Sequence, residues 1–290
     1  MIFKGVATAI ITPFNKDLSI NYIKFEELIN MQIKNNVPAI VVCGTTGESS
    51  TLTTDERKSL ISFAVKVANK RIKVIANTGT NDTTYSILLS RFAEDIGADA
   101  ILAITPYYNK SNKKGLYMHF KAIASSINIP VILYNVPSRT NIDLSIDIIV
   151  KLSKIPNIVG IKEASSDINK VSEILKNTTD FAVYCANDSL TLPTLSLNAH
   201  GVISVFSNAF PKELVNLCDY MFNNNFKEAL NIHYKYLDIM NNIFIEVNPI
   251  PIKEVMNFFK YDVGDVRLPL YKMNEKNKNV LIESLNNLVK

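Results

Sequence analysis

Cysteine is scarce in this chain: Cys43, Cys185 and Cys218 are the only three in 290 residues. Three widely spaced thiols make neither a disulfide framework nor a cysteine-based zinc site. They read as small buried residues in a reducing compartment. Clustered basic charge is missing too. The net charge of +4 arises from 31 basic and 27 acidic residues spread along the chain, which leaves no footprint for nucleic acid. No apolar run approaches the length of a membrane span. The opening "MIFKGVATAIITPF" lacks the basic segment and small-residue cleavage site of a secretory leader. These absences together imply a cytoplasmic protein. His119, His200 and His233 are scattered, with no His-x-x-x-His and no carboxylate pair at ligand spacing, so no metal is expected. There is no Ser/His/Asp set, no internal repeat, no low-complexity segment and no flexible linker.

What is present is an alternation of two periods. Short β-branched runs at 5–14, 38–44, 72–79, 100–106, 130–137, 158–165, 181–187 and 201–208 read as strands. Between and after them lie helical patterns near 22–35, 54–69, 82–96, 114–127, 144–153, 168–176, 188–198 and 211–222. Thr53 with Glu56 forms a capping-box pattern, and Pro211 suits a first helical position. Strands that each lead into a helix, with none left over, predict an α/β fold, a (β/α)8 barrel of the TIM type. A doubly wound sheet would carry a Gly-x-Gly-x-x-Gly turn after the first strand, and "TPFNKDLSI" is not one. Three further helices near 226–246, 250–260 and 276–288 exceed what a barrel needs. The chain is therefore divided into a barrel at 1–222 and a C-terminal helical extension at 223–290.

In such barrels chemistry sits at the carboxyl ends of the strands. Strand 2 ends there in "GTTGES", strand 4 in "TPYYN", strand 5 in "YNVPSRT" and strand 6 in "KEAS". Gly44–Glu48 offers glycines, backbone amides and hydroxyls in a tight turn that can hold a small anion such as a carboxylate. It can equally be a plain strand-to-helix turn. No Gly-Lys-Ser/Thr follows it, so it is not a phosphate loop. Arg139 can grip a carboxylate with its planar fork, although most arginines simply face solvent. Tyr134 sits in an apolar run, where its hydroxyl needs a partner. Tyr107 and Tyr108 are adjacent and point to opposite sides if extended. One can serve a site while the other packs.

Lys162 is the unusual residue. The run "NIVGIKEAS" reads as a buried strand, and an unpaired ammonium is costly to take out of water. Desolvation favours the neutral amine, and only a neutral amine attacks a carbonyl carbon. A lysine near the open end of an apolar barrel interior is therefore suited to form a Schiff base. The alternatives are a side chain that snorkels out of the barrel top or one paired with Glu163. Glu163 should face the other side of the strand, which weakens the second alternative.

The motifs "GTTGES", "TPYYN", "GLYMHFKAIA", "PVILYNVPSRT", "IVGIKEAS", "HGVISV" and "NPIPIK" resemble those of the dihydrodipicolinate synthases. The likeness runs from the first strand through "RLPL" at 267–270, essentially the whole chain. The wider superfamily includes N-acetylneuraminate lyase and 2-keto-3-deoxygluconate aldolase. The arginine of "YNVPSRT" resembles the synthases rather than the sugar-acid lyases. The resemblance implies condensation of pyruvate with L-aspartate 4-semialdehyde, without a cofactor or metal, on the path to lysine and diaminopimelate. It implies that Lys162 forms the imine with pyruvate. Gly44, Thr45 and Thr46 would lie in the turn that binds the pyruvate carboxylate. Tyr134, Thr46 and Tyr108 would relay protons, Tyr108 entering from a neighbouring subunit of a homotetramer built as a dimer of dimers. Arg139 would hold the semialdehyde carboxylate, and Ile203 would present a backbone carbonyl.

The sequence departs from the family pattern in two places. Residues 186–188 read "AND", where familiar bacterial members have Gly-Asp-Asp, so Ala186 is expected to crowd the backbone slightly. The second departure is the site at which many members bind lysine as a feedback inhibitor. Ser49, Ser50, Asn81 and Tyr107 match it. Thr54 and Arg57 stand in place of histidines, and Tyr85 in place of a glutamate. A cationic effector loses an acidic partner and gains a like charge, so the site is expected to be degenerate and lysine inhibition weak or absent. Two other readings stay open at this level. One is a different pyruvate aldolase acting on a sugar acid. The other is a silent barrel that only binds a small acid.

Overall fold

The structure is a computed structural model that describes residues 1–289. Eight strands form a closed parallel barrel in the order β1 to β8. They are β1 Gly5–Ala9, β2 Ala39–Val42, β3 Lys73–Asn77, β4 Ala100–Ile104, β5 Val131–Asn135, β6 Ile158–Glu163, β7 Ala182–Cys185 and β8 Gly201–Ser204. Each is shorter than its apolar run. Ile10, Ile11 and Phe14 stay buried beyond β1, and Cys43 beyond β2 already has a positive φ of 56°. Apolar character tracks burial, whereas a strand ends where its ladder ends. That is why the runs overshoot.

The outer helices are α1 Tyr22–Lys34, α2 Thr54–Ala68, α3 Thr83–Asp95, α4 Lys113–Ala124, α5 Pro137–Thr140, α6 Ile146–Leu152, α7 Ile168–Asn177, α8 Thr191–Ser196 and α9 Pro211–Phe222. Their starts follow local chemistry. Thr53 and Glu56 form the capping box of α2, with each side chain accepting from the other residue's amide. Pro211 opens α9, as expected. The one-turn helix α5 was not anticipated from the sequence. The C-terminal helices follow as α10 Phe226–Asn242, α11 Ile250–Phe258 and α12 Glu275–Val289. Ile252, Val255 and Met256 of α11 belong to the same apolar cluster that joins the barrel wall to its surrounding helices.

A second cluster fills the barrel itself. Ala7, Ala9 and Ala39 leave room for Leu102, Ile132, Tyr184 and Ile203, so small and large residues interdigitate. Phe3 stacks on Tyr184 at 4.2 Å between ring centroids and closes the amino-terminal end. At the β8–β1 seam the backbones of Gly201 and Gly5 approach so closely that a Cβ on Gly201 would lie 1.9 Å from the Gly5 carbonyl oxygen. No described helix is long and apolar enough to cross a membrane.

Candidate active site

Lys162 lies on β6 and points into the barrel near its carboxyl end. Strand pairing sets it beside Tyr134 of β5 and Tyr184 of β7. Its side chain is 6% exposed, and its Nζ sits 4.4 Å from the centroid of the Tyr134 ring. Among the described residues no carboxylate lies within ion-pair distance of this nitrogen. The geometry excludes both bland readings: the lysine neither leaves the barrel nor pairs with its neighbour.

Glu163 faces outward, where it has partners of its own. Asn135 Nδ2 donates to both of its carboxylate oxygens at 3.0 Å, and Lys170 of α7 stands 3.7 Å away. Asn135 also donates to Asp143 at 2.7 Å and accepts from the Leu144 amide at 3.0 Å. The two strands therefore carry matched pairs. Tyr134 and Lys162 meet inside, while Asn135 and Glu163 meet outside and hold the register.

The turn after β2 is folded on itself. The Gly44 carbonyl accepts from the amides of Gly47 at 3.1 Å and Ser49 at 3.3 Å, and the Thr45 carbonyl accepts from Glu48 at 3.1 Å. The amides of Thr45 and Thr46 donate to no backbone carbonyl among the described residues, which leaves them for a ligand. Unpaired amides in such a turn favour an anion. Of the two readings the sequence left open, this geometry favours the anion turn.

A segment that sequence reasoning left without a role completes the site. Asn248, just before α11, donates from Nδ2 to the Thr46 hydroxyl at 3.0 Å, and its carbonyl accepts from Arg139 Nη2 at 3.1 Å. Its own Oδ1 is buried without a partner. The extension thus reaches over the barrel and links the anion turn to the arginine. Its motif "NPIPIK" carried the family likeness, yet nothing local marks Asn248 as a site residue. Arg139 itself rides on α5, anchored by the Thr105 hydroxyl, which donates to Thr140 Oγ1 at 3.0 Å.

At the β8 end, Ile203 is fully buried inside the barrel. The chain beyond it is ordered by Asp188, which accepts from the Ser204 hydroxyl and from the amides of Val205 at 3.1 Å and Phe206 at 3.0 Å. Burial raises the Asp188 pKa, and these bonds oppose the rise. Ala186 is buried and donates its amide to the Glu163 carbonyl at 3.1 Å, an ordinary contact that brings the β7 end against β6.

Tyr108 stands apart from its own barrel: it is 93% exposed and has a φ of 66°. Tyr107 instead lines a cavity of about 280 Å³ together with Thr45, Ser49, Ser50, Arg57 and Arg139. The cavity joins the anion turn to most of the anticipated feedback residues. Asn81 and Tyr85 do not line it. The Asn81 carbonyl accepts from Asn109 at 2.9 Å, and the Tyr85 hydroxyl bonds Thr54 Oγ1 at 2.7 Å. No group of three or more His, Cys, Asp or Glu among the described residues could hold a metal ion.

Comparison with known proteins agrees with this geometry. The model of the "Dihydrodipicolinate synthetase family" matches residues 2–288. A 4-hydroxy-tetrahydrodipicolinate synthase of Clostridium perfringens is 48% identical over 292 residues, covering 100% of both chains. That of Clostridium novyi is 49% identical, covering 99% of this chain and 97% of its own. The crystal structure of dihydrodipicolinate synthase from Aquifex aeolicus superposes with a TM-score of 0.96 at 44% identity, covering 98% of each chain.

Proposed function

The chain belongs to the dihydrodipicolinate synthetase family, and from that premise we propose that its barrel condenses pyruvate with L-aspartate 4-semialdehyde to give 4-hydroxy-tetrahydrodipicolinate. The observation that carries this reading is Lys162, buried at the carboxyl end of β6 with its Nζ over the Tyr134 ring and no carboxylate within ion-pair distance among the described residues. Such an amine is placed for covalent catalysis rather than for an ion pair.

The free amides of Thr45 and Thr46 hold the pyruvate carboxylate. Lys162 Nζ attacks the keto carbon, water leaves, and a protonated imine remains. The imine withdraws electrons from the methyl group, which gives up a proton to form the enamine. The enamine carbon attacks the aldehyde of the second substrate, whose carboxylate is gripped by Arg139. That substrate's amino group then attacks the imine carbon, which closes the ring and frees Lys162. Tyr134 lies against the reacting nitrogen and passes protons with the Thr46 hydroxyl. Asn248 fixes that hydroxyl and the arginine together.

Tyr108 completes the relay from a second copy of the chain. Its near-complete exposure in the single chain supports this assignment. The working assembly is at least a dimer, and a homotetramer follows the family habit. The enzyme works in the cytoplasm, in lysine and diaminopimelate synthesis. The chain beyond residue 222 forms a helical extension of the catalytic barrel, and it contributes Asn248 to the site from the connection between α10 and α11.

The test is a coupled assay with both substrates on the wild type and on Lys162→Ala, together with borohydride trapping of pyruvate. Turnover and a mass gain are expected in the wild type only. A mass gain without turnover of the semialdehyde, accompanied by cleavage of a 2-keto-3-deoxy acid, would move the enzyme among the sugar-acid aldolases.

A further inference from the structure

The anion turn leaves β2 through a residue in an unusual conformation. Cys43 has a φ of 56°, in the left-handed region that a side chain with a Cβ disfavours. Glu48, at the far end of the turn, has a φ of 55°. Residues held in this region persist only where their surroundings fix them, and they gather at functional sites. Glu48 is fixed by its buried contact with Lys253 Nζ at 2.6 Å. Cys43 needs a restraint of its own.

The direction of its side chain shows what the conformation does. Ala39 and Val41 of β2 face the barrel interior, while Ile40 and Val42 face the surrounding helices. Strict alternation would send Cys43 inward. Instead it belongs to the outer cluster, and its thiol donates to the Arg57 carbonyl of α2 at 3.8 Å. The left-handed step thus keeps the thiol out of the barrel mouth and leaves the Cys43 carbonyl against β3. Asn77, the last residue of β3, meets it there. Its Nδ2 donates to the Cys43 carbonyl at 2.8 Å, and both residues are buried. Arg57 Nη2 in turn donates to the Asn77 carbonyl at 3.0 Å. Three bonds therefore close a ring of Cys43, Asn77 and Arg57, which ties β2, β3 and α2 together at the root of the turn.

We propose that Asn77 is a positioning residue for the proposed reaction. Its side-chain amide holds Cys43 in the left-handed conformation, and so aims the free amides of Thr45 and Thr46 at the pyruvate carboxylate. In this role Asn77 touches no reacting atom and acts through the backbone of residue 43. Without it, Cys43 relaxes toward the conformations that a Cβ favours, and the two amides lose their fixed direction. The identity of the anion rests on the proposed reaction; the shape of the turn does not.

Asn77→Ala tests this by kinetics and by amide exchange on the full chain. The pyruvate KM is expected to rise about fivefold, the loss of one hydrogen bond. The semialdehyde KM and kcat should each stay within about twofold. Borohydride trapping should fall at low pyruvate and recover at saturating pyruvate. In the pyruvate-free protein, the Gly47 and Ser49 amides, which donate to the Gly44 carbonyl, should exchange about fivefold faster than in wild type. The kinetic loss should shrink to about twofold when the same change is made in Cys43→Gly, because glycine takes the left-handed conformation unaided. If Asn77→Ala does not fold, Asn77→Ser, whose donor is one bond shorter, carries the same comparisons. An unchanged pyruvate KM overturns the proposal, as does an equal rise in both KM values or an undiminished loss in the glycine background. Unchanged exchange of the two amides overturns it as well. A wild type that traps no pyruvate would sink the proposed reaction instead, and the exchange rates would still decide whether Asn77 shapes the turn.

Discussion

Lys253 Nζ lies 2.6 Å from Glu48 Oε1, and both side chains are buried, at 2% and 0% exposure. The pair joins the last residue of the anion turn to helix α11 of the C-terminal extension. The lysine also donates to the Asp265 carbonyl at 3.0 Å and lies over the Phe14 ring, while Glu48 Oε2 accepts from the Arg267 amide at 2.9 Å. Burial pushes the Lys253 pKa down, and the Glu48 carboxylate opposes that shift. The turn is thus fixed from behind by a region more than two hundred residues away in sequence.

Removing one partner of this pair should cost far more than removing both. Lys253→Met leaves the Glu48 carboxylate buried and is expected to destabilise by about 3–5 kcal/mol. Glu48→Gln/Lys253→Met should recover a large part of that loss. Urea melts of the single and double variants check both statements. An additive double variant would mean that the pair is not energetically coupled.

The register of the catalytic strands depends on the outward pair Asn135 and Glu163. Glu163→Ala removes the fully buried acceptor of the Asn135 amide and leaves the half-exposed Asp143 as the remaining partner of Asn135 and Lys170. A loss of about 2–4 kcal/mol is expected, along with a lower yield of borohydride-trapped pyruvate because Lys162 moves with its strand. Full trapping in a destabilised variant would show that the inner pair keeps its place unaided.

Much of this was legible in the sequence, and the rest was hidden for definite reasons. The barrel follows from period alone, because each strand and helix advertises its own burial. Lys162 stood out because a charged residue interrupted an apolar run. The role of Asn248 could not be seen in the same way. Its partners Thr46 and Arg139 are 202 and 109 residues distant, and no local pattern encodes a contact of that range. The Glu48–Lys253 pair was hidden for the same reason. A glutamate in a turn and a lysine in a helix look like surface residues until the fold buries both.

Gly160 is the inward-facing residue on β6 two positions before Lys162. A Cβ there would lie 2.5 Å from the Ala182 carbonyl oxygen and 3.0 Å from the Ala182 Cβ. Backbone cannot move aside as a flexible side-chain tip can. Gly160→Ala is expected to cost about 1–3 kcal/mol through overpacking and to reduce turnover more than it alters pyruvate KM. Thermal denaturation together with steady-state kinetics tests this, and a variant indistinguishable from wild type in both would refute it.

Lysine should inhibit this enzyme weakly or not at all. Where a cationic effector would want an acid, Tyr85 presents a phenol already bonded to Thr54, and Arg57 adds a like charge. Millimolar lysine in the coupled assay is expected to leave the rate nearly unchanged. Clear inhibition would mean that the effector reaches some other acidic group.

His119 on α4 gives the fold a pH dependence of definite sign. Its Nδ1 bonds the Thr83 hydroxyl of α3 at 2.9 Å, while its Nε2 is buried with no partner. Burial lowers its pKa from 6.5 to about 4, with Asp82 pulling weakly the other way. The unfolded chain therefore takes up a proton near pH 6.5 that the folded chain refuses until about pH 4. The neutral ring contributes about 3 kcal/mol at neutral pH that disappears as the pH falls through this window. Denaturant melts across the window should show wild-type stability falling more steeply than that of His119→Gln, by up to one proton per molecule. Parallel curves for the two proteins would mean that the ring is protonated in the folded state and that its buried nitrogen has found a partner.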